Sequence, residues 1–226
     1  MTTTTELKFQ ASRSAGEVSA LLERPPGARW LMVLGHGAGA GMRHHFMEDA
    51  ALALAARGIA TFRYQFPYVE NRSRRPDPQP ILLATVQSAV QAARAAASDL
   101  PLLAGGKSMG GRMTSLTCAK DPSSVGEVRG LIFFGFPLHP PGAPATERAE
   151  HLERVQIPML FLQGTRDKLA DLGLLRPVIE RLGSRATLHV VEGADHSFEM
   201  LKRSGRTAAD VLEELAGTAV SWAEQL

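Results

Sequence analysis

Leu100-Pro-Leu-Leu-Ala-Gly-Gly-Lys-Ser-Met-Gly-Gly-Arg-Met113 decides the fold of this chain. It reads as a short apolar strand, a glycine-rich bend centred on Ser108, and the start of a helix. Within it, Gly106-Lys-Ser-Met-Gly110 fits G-x-S-x-G, a nucleophile elbow. A serine serves as a nucleophile only if its hydroxyl stands clear of the backbone at the carboxyl edge of a sheet. The turn that achieves this is strained, and its strand and helix pass so close that the flanking positions tolerate little but glycine. Met109 then opens a helix whose free N–H groups point to where negative charge develops. With 14 Ser and 21 Gly in 226 residues, chance produces the pattern in roughly one such chain in eight, so its neighbours must carry the rest of the argument.

Outward from the elbow the pattern is repetitive. Residues 6–10 and 17–23 alternate like two opening strands, and Trp30-Leu-Met-Val-Leu34 is a continuous apolar run of the kind a buried parallel strand shows. A glycine-rich loop, Gly35 to Gly41, leads into an Ala/Leu-rich helix ending near Ala56, and Ile59 to Tyr64 is the next strand. A proline- and arginine-rich loop from Gln65 to Pro80 precedes a helix over 81–98. After the elbow helix come strands 128–134 and 157–162, a helix over 171–182, strand 187–191 and a helix over 207–224. Strands alternating with helices predict a single α/β domain over 1–226, built on a doubly wound, mostly parallel sheet. Only some twenty residues, with Pro137, Pro140, Pro141 and Pro144, separate strands 128–134 and 157–162, so no lid domain is expected there.

An elbow serine needs a base and a group to orient that base, in the chain order Ser, acid, His. Ile157-Pro-Met-Leu-Phe-Leu-Gln-Gly-Thr-Arg-Asp167 delivers Asp167 at a strand end, and Thr187-Leu-His-Val-Val-Glu-Gly-Ala-Asp-His196 delivers His196. His196 is the expected base and Asp167 the expected orienting acid, with Asp195 and Asp171 as competitors. His189 lies within a strand, His139 and His151 in the proline loop, and His44 and His45 at a helix start. The oxyanion site needs two backbone donors. Met109 N–H is one, and Ala38 N–H is the other expected, with Gly37 and Gly39 as neighbours. The same glycines lack the Lys-Ser/Thr ending of a phosphate loop.

These stretches resemble the α/β-hydrolases, and specifically their small, lidless, dienelactone-hydrolase-like branch. The resemblance rests on His36-Gly-Ala-Gly39, Phe66-Pro-Tyr68 with Arg74-Arg-Pro76, Gly105-Gly-Lys-Ser-Met-Gly-Gly-Arg112, Gln163-Gly-Thr-Arg-Asp167 and Gly193-Ala-Asp-His-Ser-Phe198. Within that branch the chain is similar to hydrolase-like proteins named after a testis-expressed gene and a subunit of a histone-acetylating complex. The resemblance implies a serine hydrolase acting on a small ester, thioester or amide. It leaves acyl transfer or perhydrolysis on the same residues, or a non-enzymatic interaction module, as alternatives. Dienelactone hydrolase itself uses a cysteine nucleophile where this chain has Ser108, so its substrate does not carry over.

Arg72, Arg74 and Arg75 read either as a solvated loop or as a site for an anionic substrate group, and Arg74, Arg75, Tyr68 and Phe198 are the expected substrate contacts. Phe66, Phe136 and Leu138 fit an acyl pocket as well as a core. The remaining properties are exclusions. A net charge of +2 gives no basis for nucleic-acid binding. Cys118 is the only cysteine, so no intrachain disulfide forms, and its apolar surroundings mark it as core filling. Residues 1–5 lack the basic start and apolar stretch of a secretion signal, and no apolar run approaches the ~18 residues of a membrane span. A cytoplasmic protein with a small-molecule substrate, no membrane or nucleic-acid partner, no cofactor and no metal is the expectation; oligomeric state is not legible.

Overall fold

The computed structural model describes residues 1–226. Its strands are β1 (Thr3–Ser12), β2 (Gly16–Arg24), β3 (Trp30–Gly35), β4 (Ile59–Tyr64), β5 (Leu102–Lys107), β6 (Val128–Phe134), β7 (Met159–Gly164) and β8 (Ala186–Val191). They form one sheet in the order β1-β2-β4-β3-β5-β6-β7-β8. The pairs β1/β2 and β2/β4 are antiparallel, and every pair from β4 through β8 is parallel. The chain enters the parallel part at β3, steps outward to β4, then returns to the other side of β3 as β5. That reversal leaves a crevice beyond the carboxyl ends of β3 and β5, the place where open α/β sheets receive ligands.

The helices are α1 (His45–Ala55), α2 (Pro67–Glu70), α3 (Gln79–Ala96), α4 (Met109–Lys120), α5 (Leu172–Leu182) and α6 (Ala208–Ala223). The two-residue period of the strands sorts their side chains between the faces. Leu31, Val33, Phe133 and Phe161 pack with α3, α4 and α5, while Met32, Leu34, Ile132, Phe134, Leu160 and Leu162 pack with α1 and α6. Each such buried side chain contributes about 1.5–3 kcal/mol of transfer free energy, and the central strands are apolar on both faces because both are covered. A buried ion pair, Arg63 Nη2 to Glu23 Oε2 at 2.9 Å, ties β4 to β2. Arg63 Nη1 also donates to the Met42 carbonyl at 3.2 Å, fixing the loop that leads into α1.

The sheet is doubly wound and mostly parallel, as the alternation implies. Two local features go beyond the sequence reading. The loop after β4 contains α2, a single turn started by Pro67 at its first position. Residues 135–158, between β6 and β7, hold a 3-10 segment at Glu147–Arg154 and no inserted lid. Within that segment His151 is buried, its Nε2 at 2.7 Å from Ser115 Oγ of α4. Cys118 is buried in α4, and desolvation pushes its thiol up to about 12, consistent with a packing role. No helix is long and apolar enough to cross a membrane.

What positions the site is the crossing of α4 over β3 and β5. Gly105 and Gly106 have φ of +149° and +153°. A Cβ on Gly105 would collide with the Ile132 carbonyl of β6, and one on Gly106 or Gly110 with the Gly35 carbonyl of β3. Gly106→Ala therefore costs about 4 kcal/mol, read as a lowered denaturant midpoint. Gly142→Ala, where φ is +72° but no atom lies within 4 Å, costs only about 1 kcal/mol. Equal losses in the two variants would show that backbone conformation, not the crossing, sets the requirement.

Candidate active site

Ser108 stands between β5 and α4 with φ 49° and ψ −113°, a conformation that L-residues rarely adopt. Two main-chain bonds hold it there: Ser108 N–H donates to the Phe134 carbonyl at 3.1 Å, and its own carbonyl accepts from Arg112 N–H at 3.1 Å. Its Oγ lies 2.9 Å from Nε2 of His196, and His196 Nδ1 lies 2.7 Å from Asp167 Oδ2. A carboxylate accepts, so Nδ1 carries the proton and Nε2 is free to accept from the Ser108 hydroxyl. Three residues 88 and 29 positions apart thus meet in one hydrogen-bonded chain because β5, β7 and β8 end at the same edge.

Asp167 is almost fully buried, and three donors fix it. Besides His196, Gln163 Nε2 donates to Oδ2, and Leu169 N–H donates to Oδ1 at 2.7 Å. The competing carboxylates are engaged elsewhere. Asp195 Oδ1 accepts from Ser197 N–H and Glu199 N–H, and Asp171 caps α5 by accepting from Gly173 N–H. His139 braces the acid loop: its ring Nε2 accepts from Asp171 N–H at 2.9 Å, and its main-chain N–H donates to the Leu169 carbonyl. His189 lies in β8 and pairs with Glu214 at 2.7 Å.

The glycine-rich loop after β3 is held from behind. His36 is buried; its Nδ1 donates to the Gly37 carbonyl at 2.8 Å, and its Nε2 accepts from Phe66 N–H at 3.1 Å. Burial pushes this imidazole down to about 4, which keeps it neutral and able to do both. The Ala40 N–H also donates to the Gly37 carbonyl. In a trans peptide C=O and N–H point opposite ways, so fixing that carbonyl aims the Ala38 N–H away from His36. Gly39 N–H is already donated to Tyr68 Oη at 3.2 Å. Ala38 N–H makes no hydrogen bond within the chain, and neither does Met109 N–H at the head of α4.

A cavity of about 290 Å³ opens over Ser108, with Ala38, His44, Phe46, Lys107, Leu169 and His196 among its walls. His44 and His45 lie against each other at the start of α1, rings tilted by 35° with centroids 4.1 Å apart, and no carboxylate lines the cavity. Of the four expected substrate contacts, none is in this wall. Arg74 and Arg75 are exposed on the loop after α2, because the turn begun by Pro67 carries that loop outward. Tyr68 is buried with its hydroxyl spent on Gly39, so it supports the glycine loop from behind. Phe198 is buried and stacks on Phe46, centroids 5.7 Å apart, one layer beneath the wall. Phe66, Phe136 and Leu138 belong to the core. Arg72 does reach a depression, a shallow one of about 560 Å³ on the far side of His44, with Lys8, Arg43 and Glu70.

Sequence pattern alone gives no part to Lys107 or Gln163 and no bracing role to His139. Gln163 did leave a trace, as the one amide in the apolar run of β7, and it is fully buried. Lys107 occupies a free position of G-x-S-x-G, where the pattern is silent.

Residues 28–224 match the alpha/beta hydrolase domain family. The chain belongs to that family. Its fold is similar to a dienelactone hydrolase from Anabaena variabilis (19% identity, TM-score 0.75, 98% of this chain and 96% of that one covered). It is also similar to an alpha-beta serine hydrolase homologue from Coxiella burnetii (20% identity, TM-score 0.74, 96% of each chain). A third likeness is XC6422 from Xanthomonas campestris, described as a serine hydrolase without lid (20% identity, TM-score 0.72, 97% and 94%). At these identities the likeness is one of alpha/beta hydrolase fold.

The two buried imidazoles set an acid limit on stability. His36 and His151 are both pushed by burial from 6.5 to about 4. Between those values the unfolded chain binds more protons than the folded one, so stability rises with pH through the window and is complete above about 6.5. Thermal melts should show the midpoint climbing from about pH 4 to about 6.5. In His151→Phe the climb should be shallower, because Ser115 Oγ keeps its bond to the Arg112 carbonyl while one titrating group is gone. An unchanged slope in the variant would assign the acid limit to other groups.

Proposed function

We propose that this alpha/beta hydrolase is a serine hydrolase cleaving a small ester, thioester or amide through an acyl-enzyme on Ser108. The observation that carries the reading is the unbroken chain Ser108 Oγ, His196 Nε2, His196 Nδ1, Asp167 Oδ2 at the floor of a cavity. Ser108 Oγ attacks the substrate carbonyl carbon while its proton passes to His196 Nε2. The carbonyl π electrons move onto oxygen, and Met109 N–H and Ala38 N–H receive the charge; one such donor is worth about 3–4 kcal/mol in the transition state. His196 then returns the proton to the leaving group as the C–O, C–S or C–N bond breaks. Water repeats the sequence on the acyl-enzyme, and another small nucleophile in its place makes the same step an acyl transfer. Asp167 holds the imidazole in the tautomer that can accept, and stabilises the imidazolium.

The cavity's size favours a short acyl group, and a lining with imidazoles and an ammonium but no carboxylate favours neutral or anionic substrates over cationic ones. Hydrolysis of p-nitrophenyl acetate and labelling by a fluorophosphonate probe test the reading. Ser108→Ala should lose the label entirely and at least about 10³-fold in kcat. Asp167→Asn should still label at Ser108 but far more slowly, and lose about 10⁴-fold in kcat, since the imidazole then loses its enforced tautomer. Turnover that survives in Ser108→Ala would refute the serine mechanism, and a wild type with neither turnover nor label would return the chain to a binding module.

A further inference from the structure

Lys107 is the only lysine buried in this chain, and it sits beside Ser108. Its Nζ donates to the main-chain carbonyl of His196. Phe46 and Phe198, nearly parallel at 16°, both turn a face to the ammonium, at 5.6 and 5.3 Å from the ring centroids. Gly135, just past β6, makes the room: a Cβ there would stand 3.1 Å from Nζ and 3.4 Å from His196 Nδ1. Phe46 belongs to α1, His196 and Phe198 to the turn after β8, and Lys107 to β5. One ammonium therefore joins the two walls of the cavity to the strand that carries the serine.

The arrangement is expensive. Desolvation pushes the Lys107 amine from 10.5 down to about 8, although Asp167 and Asp195 attract its charge. Phe198 adds backbone strain at φ 65° in the same turn. An unbranched apolar side chain would fill the same channel without the desolvation cost. Stability alone thus gives no reason for an ammonium here, whereas geometry does: a carbonyl and two ring faces fix the height of the turn.

We infer that Lys107 is a positioning residue, whose ammonium holds the His196 turn against α1 so that Nε2 meets Ser108 Oγ. Its kinetic consequence rests on the serine-hydrolase reading; its structural consequence does not. The titratable groups facing it are His44 from the start of α1, Asp167 from the turn after β7, and Asp195 and His196 from the turn after β8. Gly135, after β6, brings no charge. Asp195 is engaged by two amides and Asp167 by His196 and Gln163, so neither replaces the His196 carbonyl as the contact of Nζ. Deprotonation removes the attraction to both rings and leaves a weak neutral donor on the carbonyl. Above pH of about 8, positioning is lost while stability grows toward the unfolded value of 10.5, because the unfolded chain binds the extra proton. Opposite trends in one window separate positioning from scaffolding.

Lys107→Met is the test, read by thermal stability, by kcat for p-nitrophenyl acetate, and by the downfield proton resonance of His196 Nδ1–H bonded to Asp167. The variant should melt at or above the wild-type temperature at pH 7, lose the resonance, and lose on the order of 100-fold in kcat with little change in KM. Wild type should lose both resonance and kcat with an apparent pKa near 8. A variant that melts lower, or keeps wild-type resonance and kcat, overturns the inference. Should it fail to fold, the wild-type titration decides: resonance and kcat level from about pH 7 to about 9.5 also overturn it. Absence of turnover in the wild type would remove the serine-hydrolase reading and leave the resonance to judge Lys107.

Discussion

The crossing of α4 over β3 is the constraint from which the rest of the site follows. Gly110 rides directly on the Gly35 carbonyl, with no side chain to separate helix from strand. A helix that starts so close to the sheet must be entered through a very sharp turn, and Ser108 at φ 49° is that turn. The strain is sustained by its surroundings: the Phe134 carbonyl on one side and the first helical hydrogen bond on the other. The same closeness lays the Met109 amide beside the loop that leaves β3. The Ser108 turn, the helix amides and the glycine loop are one consequence of two backbones in contact. That is why the glycines are spaced as they are.

The loop after β3 shows how a site is built from behind. His36 fixes a carbonyl and thereby aims the next amide, and Tyr68 takes up Gly39 N–H while Ala38 N–H stays free. Neither side chain reaches the cavity. Both depend on the segment after β4, through Phe66 N–H and through α2. On the acid side, His139 and Gln163 do the corresponding work for the Asp167 turn. The parts of the proposed mechanism are therefore held by groups from three connections, after β3, β4 and β6, and from β7 itself, all at the carboxyl edge of the sheet.

This division explains what could be read in the amino-acid sequence. The apolar runs at 30–34, 128–134 and 157–162 announce central strands because a two-faced core admits nothing else; the first two are strands as read, and the third begins two residues later, as Met159–Gly164. Ser108, Asp167 and His196 stand at strand ends, where chain order and the turn residues place them without any knowledge of loop paths. Loop contacts are different. Tyr68 is 29 residues from Gly39, and the direction of its ring depends on a single turn begun by Pro67; the same turn leaves Arg74 and Arg75 in solvent. Charge and aromatic character in that loop suited a substrate contact, but they do not encode its course. Gln163 was legible in part, as a polar residue in an apolar strand, though not the carboxylate it serves.

Several costs that a core normally avoids meet at this one edge of the sheet. Ser108 and Phe198 have strained backbones, a buried ammonium lies over two aromatic rings, a neutral imidazole is buried at His36, and Gln163 Oε1 has no partner. Two residues below, β3 and β5 are apolar on both faces. Folding stability is a small difference between large terms, so penalties of this kind persist only where the surrounding structure over-determines them. The well-packed strands beneath the site supply that excess, and the rigidity they confer is what a preorganised donor or base requires. The stable half of the sheet and the strained edge are in that sense one design: the first makes the second possible.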